Sequence, residues 1–183
     1  MSGRIWTVPN QITLLRLGFL PFFLILIIDE HYNWALAVLV LAGLTDFVDG
    51  LLARRLNQKS EFGAYLDPIA DKLLLSSSFL VLAFKHKIFW WVAILIFSRD
   101  ILLLTVAAVI ILVSGYRPFP PSLLGKLTTT LQIILVFMVV ASAAFPAPWM
   151  ARANHVLIFA VAGVTVLSGF HYSVVIARRL HSA

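Results

Sequence analysis

Cysteine is absent from all 183 residues, which excludes disulfides and thiolate-bound metals and leaves the redox compartment open. Charge is scarce as well, with only 12% of residues being Asp, Glu, Lys or Arg. Acidic groups are the scarcest, eight against fourteen basic ones, for a formal net charge of +6. No low-complexity tract, internal repeat or soluble appendage interrupts the chain, and its length has room for one domain.

What fills the chain instead is apolar, 61% by residue count. A soluble domain of this size could not hide that much hydrophobic surface, so the composition points to an integral membrane protein. The basic surplus then reads as a topology signal and as ligands for anionic headgroups; no nucleic-acid partner is expected. Spanning a bilayer takes on the order of 20 apolar residues. Six runs of suitable length lie at about 12–28, 34–55, 64–84, 88–113, 123–145 and 153–177. Residues 1–11, with Arg4, Trp6 and Pro9, read as an interfacial lead-in. Asp29-Glu30 follows the first run where a secretory leader would carry small residues, so that run is expected to be a retained helix. The expected fold is all-α, a single membrane domain over 1–183 with six transmembrane helices.

Lys and Arg counts orient these spans. One side holds Arg4, Arg16, Arg54, Arg55, Lys59, Arg117, Lys126, Arg178 and Arg179; the other holds Lys85, Lys87 and Arg152. Both termini are therefore expected on the cytoplasmic side. Trp34, Trp90, Trp91 and Trp149 fall near span ends, as an aromatic belt does. The five histidines are scattered without metal-ligand spacing and read as structural.

Four of the few carboxylates, Asp46, Asp49, Asp67 and Asp71, fall where spans two and three meet their cytoplasmic turn. Three- and four-residue spacings put each pair on one helical face. Four carboxylates near lipid repel one another and resist dehydration unless a cation sits among them. Oxygen donors without His or Cys favour Mg²⁺ or Mn²⁺ over zinc. Gly50 and Ala53 clear bulk from the acidic face, Arg54 offers a planar fork for phosphate, and Gly63 would allow a sharp entry into span three. Pro68 would be tolerated in a first helical turn.

Written out, the spacing is D-x2-D-G-x2-A-R-x8-G-x3-D-x3-D from Asp46 to Asp71. It resembles the signature of the CDP-alcohol phosphotransferase family at every fixed position, and the Pro9-Asn10-x-x-Thr13-x-x-Arg16 entry is similar to that of bacterial members. The resemblance implies a metal-dependent phosphatidyltransferase that passes the phosphatidyl group of CDP-diacylglycerol to an acceptor hydroxyl and releases CMP. It implies metal ligation by Asp46, Asp49, Asp67 and Asp71, with two Mg²⁺ or Mn²⁺ ions. Asp71 would be the general base, and Asp49, Gly50, Ala53, Arg54 and Gly63 would hold the CDP. It also implies a homodimer, and the bacterial cytoplasmic membrane as its place. A transporter-like ion-binding bundle is the alternative outside this class, but an ion path needs no fixed glycine and arginine among its aspartates.

Acceptor choice rests on cations outside the motif: Arg99 within span four, and Arg117 and Lys126 flanking the start of span five. Adjacent residues on a helix point about 100° apart, so either Arg99 or Asp100 could face the site, or the two could pair locally. The set, with Gly125-Lys126-x-x-Thr129-type spacing, is similar to that of phosphatidylglycerophosphate synthases, and glycerol 3-phosphate is the expected acceptor. Ser98-Arg99-Asp100, with Ala107 where those enzymes carry a second arginine, looks more like mitochondrial-type cardiolipin synthases, whose acceptor is phosphatidylglycerol.

Overall fold

A computed structural model describes the backbone of residues 8–56, 61–114 and 123–181, and side chains over 14–45, 72–105 and 123–172 apart from 16 and 171. The described residues form six helices and no strand: α1 (Val8–Ile28), α2 (Tyr32–Leu56), α3 (Glu61–Phe84), α4 (Trp90–Ser114), α5 (Leu123–Ala144) and α6 (Pro148–His181). Each coincides with one expected apolar run. α1 starts earlier than the apolar pattern alone suggests, at Val8, and takes in the last residues of the expected lead-in. Proline fits there, since the N–H it lacks at a first turn has no helical partner anyway. Pro148 opens α6 for the same reason, five residues ahead of the expected start.

Two expectations about α3 change with its start at Glu61. Gly63 sits inside the first helical turn rather than at a bend leading into it. Pro68 lies in the helix interior, where it denies the Ala64 carbonyl its usual donor.

Among the described residues, α1 packs on α2 and α3; α5 packs on α6, α2 and α3; α4 packs on α6 and α3. Phe23 and Ile27 of α1, Phe79 and Leu82 of α3, Val92 and Ile96 of α4, Leu135 of α5 and Val161 of α6 share one buried cluster. The outside is apolar too. Every helix presents large hydrophobic side chains outward, among them Phe22, Trp34, Phe84, Leu104, Ile133 and Phe159. Surface of that kind suits lipid and not water. By length and composition, Leu123–Ala144 and Pro148–Phe170 are long and apolar enough to cross a membrane within the described residues, with mean hydropathies of 2.0 and 1.7.

α1 and α3 end at the same pole of the bundle and end alike. His31 N donates to Leu26 O at 2.8 Å and Glu30 N to Ile27 O at 3.1 Å; Lys87 N donates to Leu82 O at 2.9 Å and His86 N to Ala83 O at 3.0 Å. Both are Schellman closures, which need a left-handed residue just past the helix. Glycine is the usual occupant, yet here Glu30 (φ 61°) and His86 (φ 54°) take the position, at about 1–2 kcal/mol each for the crowded Cβ. Lys85 bridges the two ends, reaching Ile28 O at 3.2 Å and the Glu30 carboxylate. That contact holds the Glu30 carboxyl below its ordinary value, chiefly through the Lys85 hydrogen bond and then through its charge.

Candidate active site

The signature residues divide between two helices. Asp46, Asp49, Gly50, Ala53 and Arg54 lie in the second half of α2, and Gly63, Asp67 and Asp71 in the first half of α3. Helical spacing keeps Asp46 with Asp49, and Asp67 with Asp71, on one face of each helix. Their side chains lie outside the described residues, as does Arg117 altogether. The only intervening residues are 57–60, so chain connectivity holds the two acidic segments at the same pole. Among the described residues no trio of His, Cys, Asp and Glu is grouped as metal ligands. The four aspartates provide hard oxygen donors and nothing softer, a donor set that fits Mg²⁺ or Mn²⁺.

The described side chains begin one residue after Asp71, and there the structure adds something. Lys72 Nζ donates to Asp100 Oδ1 at 2.6 Å. Arg99 Nη1 donates to the same oxygen at 2.8 Å, and Arg99 Nη2 donates to Ser168 Oγ at 3.2 Å. One carboxylate thus joins α3 to α4, and the arginine carries the link on to α6. Arg99 and Asp100 are only 7% and 6% exposed, so neither charge is left to solvent. An unpaired ion at this depth would be costly, which explains why the neighbours turn toward each other instead of diverging. Arg99 Nε is buried and has no partner among the described residues.

Lys126 sits exposed in the first turn of α5. A cation at a helix N-terminus opposes the macrodipole, so its position is not explained by helix stability. Thr128 and Thr129 donate back to Leu124 O at 2.7 Å and Gly125 O at 3.2 Å, which fastens the turn that carries Lys126. One turn further on, Gln132 is 1% exposed and neither atom of its carboxamide has a partner among the described residues.

Sequence reasoning missed three of these features. Lys72 stands beside Asp71 in the sequence and gave no sign of a partner on another helix, while the structure gives it Asp100. Ser168 and Gln132 gave no signal beyond being polar residues inside apolar runs. That is the signal that could have found them, because lone polar groups in a membrane helix face its interior.

The sequence profile described as CDP-alcohol phosphatidyltransferase matches residues 6–177. Human cardiolipin synthase (CMP-forming) is 37% identical over 160 residues, covering 76% of this chain and 52% of the human protein. The Streptomyces coelicolor cardiolipin synthase (CMP-forming) is 37% identical over 134 residues, 70% of this chain and 62% of that protein. A probable phosphatidylglycerophosphate synthase of Mycobacterium tuberculosis is 36% identical over 184 residues, 97% of this chain and 84% of that protein. The chain spans between about half and three-fifths of the length of the cardiolipin synthases it matches. With the signature residues complete on α2 and α3 and the match running almost end to end, the chain belongs to the CDP-alcohol phosphatidyltransferase family.

Proposed function

We propose that this protein moves the phosphatidyl group of CDP-diacylglycerol to the hydroxyl of phosphatidylglycerol, releasing CMP and forming cardiolipin. Both names among its relatives, cardiolipin synthase and phosphatidylglycerophosphate synthase, concern phosphatidyl transfer of this kind. The observation that carries the choice of acceptor is the state of Arg99. Two of its nitrogens are already committed to Asp100 and Ser168, and only Nε is without a partner among the described residues. A phosphate monoester dianion such as glycerol 3-phosphate demands more cationic donors than a phosphodiester does. The near-complete match to a phosphatidylglycerophosphate synthase favours glycerol 3-phosphate as the second reading.

In this reading Asp46, Asp49, Asp67 and Asp71 hold two divalent ions, which when bound neutralise the pyrophosphate of the donor. Gly50 and Ala53 leave room for the nucleotide against α2, Gly63 does so on α3, and Arg54 and Asp49 fix it. Asp71 accepts the proton of the acceptor hydroxyl as its oxygen bonds to the phosphatidyl phosphorus and the phosphorus–oxygen bond to CMP breaks. General-base help of this type contributes about 10²–10⁴-fold. Arg99, Arg117 and Lys126 orient the acceptor phosphate. The six helices all span the bilayer, the polar cleft opens sideways so that acyl chains stay in lipid, and two copies form a homodimer in the cytoplasmic membrane.

The experiment is purified protein in detergent with Mg²⁺ or Mn²⁺, CDP-diacylglycerol and one acceptor at a time, following CMP. Release with phosphatidylglycerol well above that with glycerol 3-phosphate is expected. The opposite order would replace the acceptor, and no CMP with any acceptor would remove the enzymatic reading.

A further inference from the structure

At the pole away from the aspartates, the α3–α4 and α5–α6 connections frame a cavity of about 840 Å³ that the chemistry above does not use. Its polar lining includes His86, Lys87, Ser142, Asn154 and His155, and no acidic side chain lines it among the described residues. Lys87 Nζ lies 4.9 Å from the centroid of the Tyr32 ring; the Glu30 carboxylate feels its charge but pairs with Lys85 instead. The cavity is therefore built for an anion.

One buried polar atom in it, Asn154 Oδ1, lacks a partner among the described residues. Ser142 Oγ donates to Val139 O at 2.9 Å and accepts from Asn154 Nδ2 at 2.7 Å. The carboxamide is thereby fixed, with Oδ1 buried and without a donor among the described residues. A ligand that completes this set brings both negative charge and a hydroxyl. His86 adds a further sign of use. It lines the cavity while occupying the left-handed helix-end position that glycine would fill without strain. Exposed Trp90 and Trp149 stand at the same pole, where aromatic belts mark the headgroup level of a membrane.

We infer that this cavity is a second lipid-headgroup site that takes a hydroxyl-bearing phosphate ester of the phosphoglycerol type. Phosphate oxygens accept from Lys87 and from the imidazoles of His86 and His155, and the glycerol hydroxyl donates to Asn154 Oδ1. Only the membrane location is shared with the proposed function; none of the catalytic residues takes part.

Full-length protein in phosphatidylcholine micelles is titrated with three probes in separate arms, and bound ligand is counted by native mass spectrometry. The probes are phosphatidylglycerol, phosphatidylmethanol (anionic, without a headgroup hydroxyl) and free glycerol phosphate. Lys87→Gln is expected to weaken anionic binding roughly tenfold, as loss of a charge-assisted hydrogen bond does. Asn154→Leu is expected to erase the preference for phosphatidylglycerol over phosphatidylmethanol. His86→Gly supplies the control for folding: its melting temperature should rise by about 2–4 °C while retention falls. Binding lost in these variants but kept in Arg99→Gln belongs to the cavity rather than to the catalytic cleft. CMP release by the same variants reports separately on the proposed function. Retention only in the lipid arms assigns a lipid source, and retention of free glycerol phosphate assigns a soluble one. Unchanged retention of every probe in Lys87→Gln and Asn154→Leu overturns the site.

Discussion

At the scale of single residues, the most consequential arrangement is Asp100 shared between Lys72 and Arg99. Asp100→Asn leaves Arg99 buried without a full counter-charge, at a cost of about 3–5 kcal/mol for breaking a buried pair from one side; thermal unfolding in detergent would read it as a lower midpoint. Arg99→Lys keeps the charge but loses the fork that reaches both Asp100 and Ser168. It should raise the KM for acceptor about tenfold and leave the KM for CDP-diacylglycerol nearly unchanged. Asp71→Asn should cost turnover about 10²–10⁴-fold while nucleotide binding, followed by calorimetry, persists. Full turnover in that variant would take the base role away from Asp71. The candidate site was legible in the sequence where spacing is rigid: three and four residues on a helix fix a face whatever the rest of the chain does. It was illegible where a partner comes from another helix, as with Lys72 and Asp100, because no local pattern encodes which α3 residue meets α4.

At the scale of elements, helix existence followed from the apolar runs; the starts of α1 and α6 moved outward, where proline suits a first turn, while α1 and α3 end where expected, at Ile28 and Phe84, each closed by a left-handed residue just beyond. Both Schellman ends depend on interactions five residues apart that hydropathy does not register. The Glu30–Lys85 bridge between them gives a pH signature. Because Glu30 titrates below its unfolded value when folded, its contribution is fully present above about pH 4.3 and is lost as pH falls through the depressed value. Lys85 is raised, first by its hydrogen bond to Glu30, so its share is present below about pH 10.4 and is lost as pH rises through the folded value. Glu30→Gln should flatten the acid limb of a melting-temperature profile by a small amount, since the bridge is exposed and screened. A profile identical to that of the unaltered protein would show that the bridge adds nothing in solution.

Across the whole molecule, the asymmetry of basic residues argues for cytoplasmic termini, and the absence of cysteine makes the arrangement easy to test. Lys59→Cys and Arg152→Cys would each carry the only thiol in the chain. An impermeant maleimide added to intact cells should label position 152 and spare position 59 until the membrane is opened. Labelling of both from outside would dismiss the six-span arrangement.

The bond from Arg99 to Ser168 ends in a hydroxyl, which carries no charge, so among the described residues the Lys72–Asp100–Arg99 string holds two positive groups against one negative. An anionic headgroup entering there, as the proposed function has it, would balance that excess. The loaded bundle should accordingly resist heat better than the bare one, with the gain growing as the logarithm of ligand concentration.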